Sequence, residues 1–329
     1  MEKPQTLQQV IRHFSDEQTC IDAVAKMRWP DGVECPSCSA KEPYWIASQK
    51  RWKCRDCRRQ FSVKLGTIFE DSPISLQKWL PALWMLVNCR NGISSYELSR
   101  DLGVSQKAAW FMLHRLRLVL KSGSLQKMGG GENSEVEVDE TFVGGKSRNM
   151  HVSKRVRLRK ALGGSGGSIS KTAVMGFFDR EQRKVRTTVI PNTSRLTLQK
   201  EILKHVADDS NVYTDEAAGY DKLGKLPAGY VHEIVNHTQQ YVRGRVHTNG
   251  LENFWSLLKR GLNGTYVAVE PFHLSRYLDE QVFRYNNRKD ETGRKLTDAE
   301  RFDLALAQVA GRRLTFAEVT GKDGTTTPF

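Results

Sequence analysis

A chain of 329 residues is too long for a single small binding module and leaves room for two or three domains. Its 51 Lys and Arg against 37 Asp and Glu give a net charge of +14, which favours a polyanionic partner and puts nucleic acid first. Hydrophobic residues at 39% suffice for packed cores, and 27% charged residues is too ordinary a share for a disordered chain. The longest apolar stretch, Trp79 to Val87, is broken by Pro81 and falls far short of the ~20 residues of a bilayer span. The N-terminal residues lack the apolar core of a secretion signal, so the expectation is no membrane and a cytoplasmic protein, nucleoid-associated in a bacterium.

In chain order, the first motif is metal-binding. Cys35-Pro36-Ser37-Cys38 is followed after fifteen residues by Cys54-Arg55-Asp56-Cys57, the spacing of a four-thiolate zinc site in a reducing compartment. The stretch between them, with Tyr44-Trp45-Ile46 and Arg51-Trp52-Lys53, fits a short β-hairpin, so residues 1–70 are read as an N-terminal segment with a zinc ribbon holding one structural Zn²⁺. Cys20 and Cys89 have no partner at ligand spacing and are read as packing residues.

Positive charge concentrates next. Residues 51–130 carry fourteen basic and five acidic side chains. Within them, Ser94 to Leu102, the turn Gly103-Val104-Ser105 and Gln106 to Val119 have the layout of a helix-turn-helix, with Ser105 capping the second helix. That helix offers Gln106 and Lys107 near its start and Arg115 and Arg117 further along as candidate DNA contacts; Gln106 is the type that reads an adenine edge, and the cations suit phosphates. Residues 71–130 are therefore expected to form a DNA-binding region, closed by a linker at Gly129-Gly130-Gly131.

Beyond the linker the pattern changes to alternating strands and helices. Glu135 to Asp139 alternates, Thr172 to Phe178 and Lys184 to Ile190 read as a hairpin, Ser194 to Val206 as a helix and Asn211 to Thr214 as a short strand. Glu252 to Leu262 and Pro271 to Asn286 read as helices, which predicts an α/β domain with a mixed sheet over residues 131–310 and a tail over 311–329. Residues 144–165 hold seven Lys or Arg and no acid, and lead into the loop-like Gly163 to Ser168.

Three carboxylates in this half suit metal-dependent phosphoryl transfer. Asp139 lies on the strand face opposite Val136 and Val138, Asp215 follows a strand end, and Glu252 opens a helix. Hard oxygen ligands from two strands and a helix can hold two Mg²⁺ or Mn²⁺ ions ~4 Å apart. Lys259, two helical turns after Glu252, shares its face and could hold a phosphate. Glu137, Glu140 and Glu216 are read as neighbours outside the set, and Trp255 as core.

The ribbon running into Arg59-Gln60-Phe61-Ser62-Val63-Lys64-Leu65-Gly66-Thr67, Val138-Asp139-Glu140-Thr141-Phe142-Val143-Gly144-Gly145-Lys146, Tyr213-Thr214-Asp215 and His247-Thr248-Asn249-Gly250-Leu251-Glu252-Asn253-Phe254-Trp255 resembles the ISXO-type insertion-sequence transposases, over about residue 15 to about residue 300. The resemblance implies a DDE-type, RNase H-like catalytic domain with Asp139, Asp215 and Glu252 at its acidic positions and Lys259 as its downstream basic residue. Asn249 and Asn253 flank Glu252, and some relatives carry Asn as the third residue. It further implies double-stranded DNA as partner, both element ends and target, and a homodimer or larger assembly that joins two ends. A non-catalytic DNA-binding regulator, or a nuclease that cuts without joining, is the alternative.

Overall fold

The computed structural model describes residues 3–121, 126–130, 134–145, 151–162, 171–234 and 247–322. The chain divides into two compact units, Met1–Lys121 with Asn287–Thr326, and Ser122–Asn286 with Thr327–Phe329.

The first unit opens with helices α1 (Leu7–His13) and α2 (Glu17–Arg28), capped by Thr6 and Asp16. A three-stranded antiparallel sheet follows, β1 (Tyr44–Ile46), β2 (Arg51–Lys53) and β3 (Gln60–Phe61), with Trp45 opposite Trp52 and Trp52 opposite Phe61. Helix α3 (Leu76–Asn88) is the apolar stretch noted above: every residue from Trp79 to Val87 is buried, so the stretch serves as a central core helix. No helix among the described residues is long and apolar enough to cross a membrane. Helix α4 (Ser95–Leu102) begins in a capping box between Ser94 and Glu97 and stops at Gly103, whose φ of 58° is the left-handed conformation of a helix end. Ser105 then caps α5 (Gln106–Val119), which is buried at nearly every position from Ala109 to Val119.

The second unit is built on one five-stranded sheet. Its strands are β4 (Glu135–Val143), β5 (Thr172–Asp179), β6 (Lys184–Ile190), β7 (Asn211–Thr214) and β8 (Val231–Ile234), in the order β6-β5-β4-β7-β8. β4, β5 and β6 pair antiparallel, while β7 and β8 run parallel to β4, so the sheet is mixed as expected. Helix α6 (Val152–Leu162) lies within the basic stretch between β4 and β5, and the run Gly163–Ser168 lies outside the described residues. Helix α7 (Arg195–His205) joins β6 to β7, and α8 (Asn249–Gly261) and α9 (Leu274–Asn286) close the unit.

Period-two alternation sorts the strands' side chains between two cores. Val136, Val138, Ala173, Met175 and Phe177 pack with Leu198 and Ile202 of α7 on one face. Val174 and Phe178 pack with Leu251, Phe254, Trp255 and Leu258 of α8 on the other. Gly176 pairs opposite Asp139, and a Cβ there would lie 2.5 Å from the Trp255 ring. Glycine at this point lets the indole lie on the sheet.

Two expectations about the domain divisions need correction. Met128 to Gly130 is no linker: Met128 donates its N–H to the His205 carbonyl (2.7 Å) and accepts from the Ala207 N–H (2.8 Å), and the Gly129 N–H donates to Asp179 Oδ2 (3.0 Å). The second unit therefore starts earlier, at Ser122. Nor does it run to residue 310. Helices α10 (Asp298–Leu306) and α11 (Phe316–Thr320) belong to the first unit, where Phe302 packs 5.6 Å from Trp84 and 6.0 Å from Phe14 and the Ile68 N–H donates to the Val309 carbonyl (3.0 Å).

Gly176→Ala is expected to lower stability by about 1–3 kcal/mol by forcing Trp255 off the sheet, visible as a shift in denaturation midpoint and in tryptophan fluorescence. Gly264→Ala, where a Cβ meets nothing within 4 Å, is the control and should not lower the midpoint.

Candidate metal centre and acidic active site

The two Cys-x-x-Cys turns are built alike. The Cys35 N–H donates to the Ala40 carbonyl (2.8 Å) and the Cys54 N–H to that of Arg59 (2.9 Å), so each turn folds back over its own first cysteine. Ser39 and Arg58, each one place after the second cysteine, take the same left-handed conformation with φ of 58° and 59°. The result brings all four sulfurs within 4.8 Å of one another, with Cys35 and Cys57 at 3.6 Å and Cys38 and Cys54 at 3.5 Å. A tetrahedral zinc with Zn–S bonds of ~2.3 Å has sulfur–sulfur edges of ~3.8 Å, so the donor set and its spacing fit zinc. Beside it, Trp52 stacks on Phe61 at 6.0 Å and meets Trp45 and Trp29 at 4.5 and 5.7 Å. This aromatic group is too small to hold the ribbon by itself, which leaves the metal as the main source of its stability.

On α5 the four residues proposed for DNA contact separate into two pairs. Lys107 is exposed, with its ammonium 4.9 Å from the Phe316 ring centre, and Gln106 is partly exposed and donates to Ser95 Oγ (2.9 Å). Arg115 and Arg117 are only 4% and 1% exposed. The Arg115 guanidinium donates to the Glu70 carbonyl (2.6 Å) and lies over Trp79 and Phe111, so it ties α5 to the segment before α3. This corrects the reading of Arg115 and Arg117 as groove-facing cations: the later turns of α5 are enclosed.

Among the described residues the four cysteines are the one group whose donor atoms lie close enough together for a single ion, whereas the acids of the second unit are linked by charge: Asp215, and more weakly Glu252, act on Asp139. Asp139 projects from β4 towards α8, where Trp255 Nε1 donates to its Oδ2 (2.9 Å) and the Glu140 N–H to its Oδ1 (2.8 Å). Asp215 sits just past the end of β7 and accepts from the Ala217 N–H (3.0 Å), a turn that fixes its carboxylate. Glu252 and Lys259 lie on the exposed side of α8, as do Asn249 and Asn253. Burial, then the negative charge of Asp215 and after it that of Glu252, push the Asp139 carboxyl up to about 6 against the two hydrogen bonds that favour its ionised form. Carboxylate oxygens are hard donors of the kind that Mg²⁺ and Mn²⁺ take.

Two neighbouring acids gain roles that spacing did not reveal. Burial raises Glu140 to about 7; it lies beside the Tyr220 hydroxyl and within the field of Asp215 and Asp139. Glu137, on the same strand face as Asp139, is fully buried and ion-paired to Arg180 at 2.7 Å. Only their adjacency to Asp139 in the sequence hinted at either. Glu216 is exposed.

Residues 129–286 match the family described as the ISXO2-like transposase domain, and residues 15–60 the transposase zinc-ribbon domain. An uncharacterized protein in transposable element ISH50 of Halobacterium salinarum is 30% identical over 275 residues, which cover 82% of this chain and 90% of that relative. A transposase-like protein of Haemophilus influenzae is 36% identical over 104 residues, 32% of this chain and 82% of the relative. A solved pre-cleavage Mos1 transpososome aligns over 69% of this chain and 78% of its own at 13% identity, with a TM-score of 0.26.

Elemental analysis should find one zinc per chain, and Cys35→Ser should release it and unfold the ribbon while the second unit keeps its own melting transition. An acid whose folded pKa is raised binds more protons folded than unfolded, so metal-free protein loses stability as pH rises from about 4 through about 6. Asp139→Asn should therefore gain on the wild type by about 1–3 kcal/mol in metal-free thermal melts as pH goes from 5 to 8. Mn²⁺ should stabilise only the wild type strongly at pH 8.

Proposed function

The chain belongs to the ISXO2-like transposases, and on that premise we propose that it is a DDE-type DNA transposase that binds the ends of its own element and catalyses strand cleavage and strand transfer. The observation that carries the proposal is the match of residues 129–286 to the transposase domain, within which Trp255 Nε1 of α8 donates to Asp139 Oδ2 of β4 (2.9 Å) and the charge of Asp215 acts on that carboxylate. The mixed sheet with helices on both faces supports an RNase H-like reading of this unit.

In this reading Asp139, Asp215 and Glu252 hold two Mg²⁺ or Mn²⁺ ions. Such ions, when bound, make a water or a DNA 3′-hydroxyl a better nucleophile and stabilise the leaving oxygen of an in-line displacement. The protein's own contribution is positional. The Trp255 indole N–H and the Glu140 N–H fix the two oxygens of Asp139, and the Asp215 carboxylate is held by its turn. The apolar layer of Leu251, Phe254 and Trp255 keeps water from the strand side of the site. Lys259, exposed on α8, neutralises a phosphate of the bound strand.

Double-stranded DNA is the partner, and α4 with α5 forms the surface that meets it, through Gln106 and Lys107 at the start of α5. The ribbon contributes Arg51, Arg55, Arg58 and Arg59, all exposed. Joining two ends calls for a dimer or larger assembly on DNA.

Asp139→Ala, Asp215→Ala and Glu252→Ala should each lower cleavage and joining of an end-bearing duplex by about a hundredfold or more, with end binding in a mobility-shift assay unchanged. Glu216→Ala is the active control. Full activity in Glu252→Ala together with loss in Asn249→Ala or Asn253→Ala would transfer the third metal position to an amide. Cleavage without joined products would make the protein a nuclease.

A further inference from the structure

Helix α8 carries Glu252, yet its own N-terminus lacks a local cap: Thr248 stands at the cap position and makes no side-chain hydrogen bond there. A carboxylate from the sheet does the work instead. Glu137 Oε2 accepts the Leu251 N–H at 3.1 Å, one residue before Glu252. The approach requires a glycine, because a Cβ at Gly250 would lie 2.8 Å from Glu137 Oε2 and 2.4 Å from the Phe178 ring.

A fully buried carboxylate needs a counter-charge, and Arg180, in the turn between β5 and β6, supplies it. Its Nε donates to Glu137 Oε1 at 2.7 Å, its Nη1 lies 3.5 Å from Glu135 Oε2, and its guanidinium stacks 4.5 Å from the Tyr213 ring centre. Its Nη2 donates to the His247 carbonyl and lies 2.8 Å from His247 Nδ1. One planar cation thus touches β4, β7 and the residues leading into α8. The same Nδ1 lies 3.4 Å from Glu137 Oε1, so the imidazole stands beside both members of the pair.

We propose that Arg180 and Glu137 are positioning residues that set the register of α8 against β4 and thereby carry Glu252 to Asp139 and Asp215. The helix is pinned twice. Leu251 is tied to Glu137, and Trp255 to Asp139. Two residues along a strand advance ~6.8 Å and four along a helix ~6 Å, so the two pins match in spacing and Glu252 lies between them. Pairing with Arg180 also occupies the Glu137 carboxylate, which keeps a fourth acid of the same face out of the metal set. This inference rests on Glu252 being a metal ligand, as proposed above.

The test is a double-mutant cycle on the full-length, zinc-loaded protein, with Mn²⁺ affinity read by electron paramagnetic resonance alongside end cleavage. Arg180→Ala leaves Glu137 buried without its counter-charge and is expected to fold poorly. Arg180→Lys keeps the charge but cannot serve the carboxylate, the His247 carbonyl and the His247 ring together. It should melt near the wild type yet bind Mn²⁺ about tenfold more weakly. Glu252→Ala should also weaken binding, and the double variant should be no weaker than Glu252→Ala alone, because both changes remove the same ligand. Wild-type Mn²⁺ affinity in Arg180→Lys, or losses that add in the double variant, would overturn the positioning role while leaving Glu252 as a ligand. Unchanged affinity in Glu252→Ala would instead remove the ligand assignment, and the positioning role with it.

Discussion

Glu137 and Asp139 project from the same face of the central strand into a layer of Phe, Trp and Leu side chains, and the chain around them is arranged to tolerate that burial. Taking an ionised carboxylate out of water costs several kcal/mol unless it is paired and hydrogen-bonded. The two acids meet this cost in opposite ways. Glu137 has Arg180 and the backbone of α8. Asp139 has two hydrogen-bond donors but also acids for neighbours, and its carboxyl stays near 6. One acid is satisfied by the protein and serves structure. Its neighbour two residues on has no cationic partner of that kind among the described residues and keeps a raised carboxyl, which is what the proposed metal-binding role asks of it.

Much of this was legible in the sequence because it depends on local rules. The Cys-x-x-Cys spacing located four sulfurs that the fold brings together. Cap residues and a glycine delimited α4 and α5, and period-two alternation separated Val136 and Val138 from Asp139. Asp139, Asp215 and Glu252 lie where the sequence reading put them, on a strand face, past a strand end and in the first turn of a helix.

What was not legible depends on partners remote in the chain. Arg115 reads as a surface cation until the Glu70 carbonyl and the Trp79 ring close over it. The Glu137 to Arg180 pair joins residues 43 apart, and nothing in the turn Asp179-Arg180-Glu181-Gln182 marks its arginine as the partner of a buried acid. The linker reading of Gly129-Gly130 failed for a related reason. Positive φ values of 79° and 95° signal a required backbone shape as readily as freedom, and here the shape serves a packed contact with Ser210 and Asp179.

The return of residues 287–326 to the first unit makes the second unit an insertion within the first. Helix α3 waits for Phe302, Ala305 and Leu306 of α10, side chains synthesised more than two hundred residues after it. During translation the sheet of the second unit has all its strands and both covering helices by Asn286, whereas the helical core of the first unit is still open on one side. A chain translated as far as Asn286 thus holds every element of the sheet unit but lacks α10 and α11 of the first. A chain stopped at Asn286 would retain the acidic constellation but expose the apolar flank of α3, a surface suited to aggregation and to capture by chaperones.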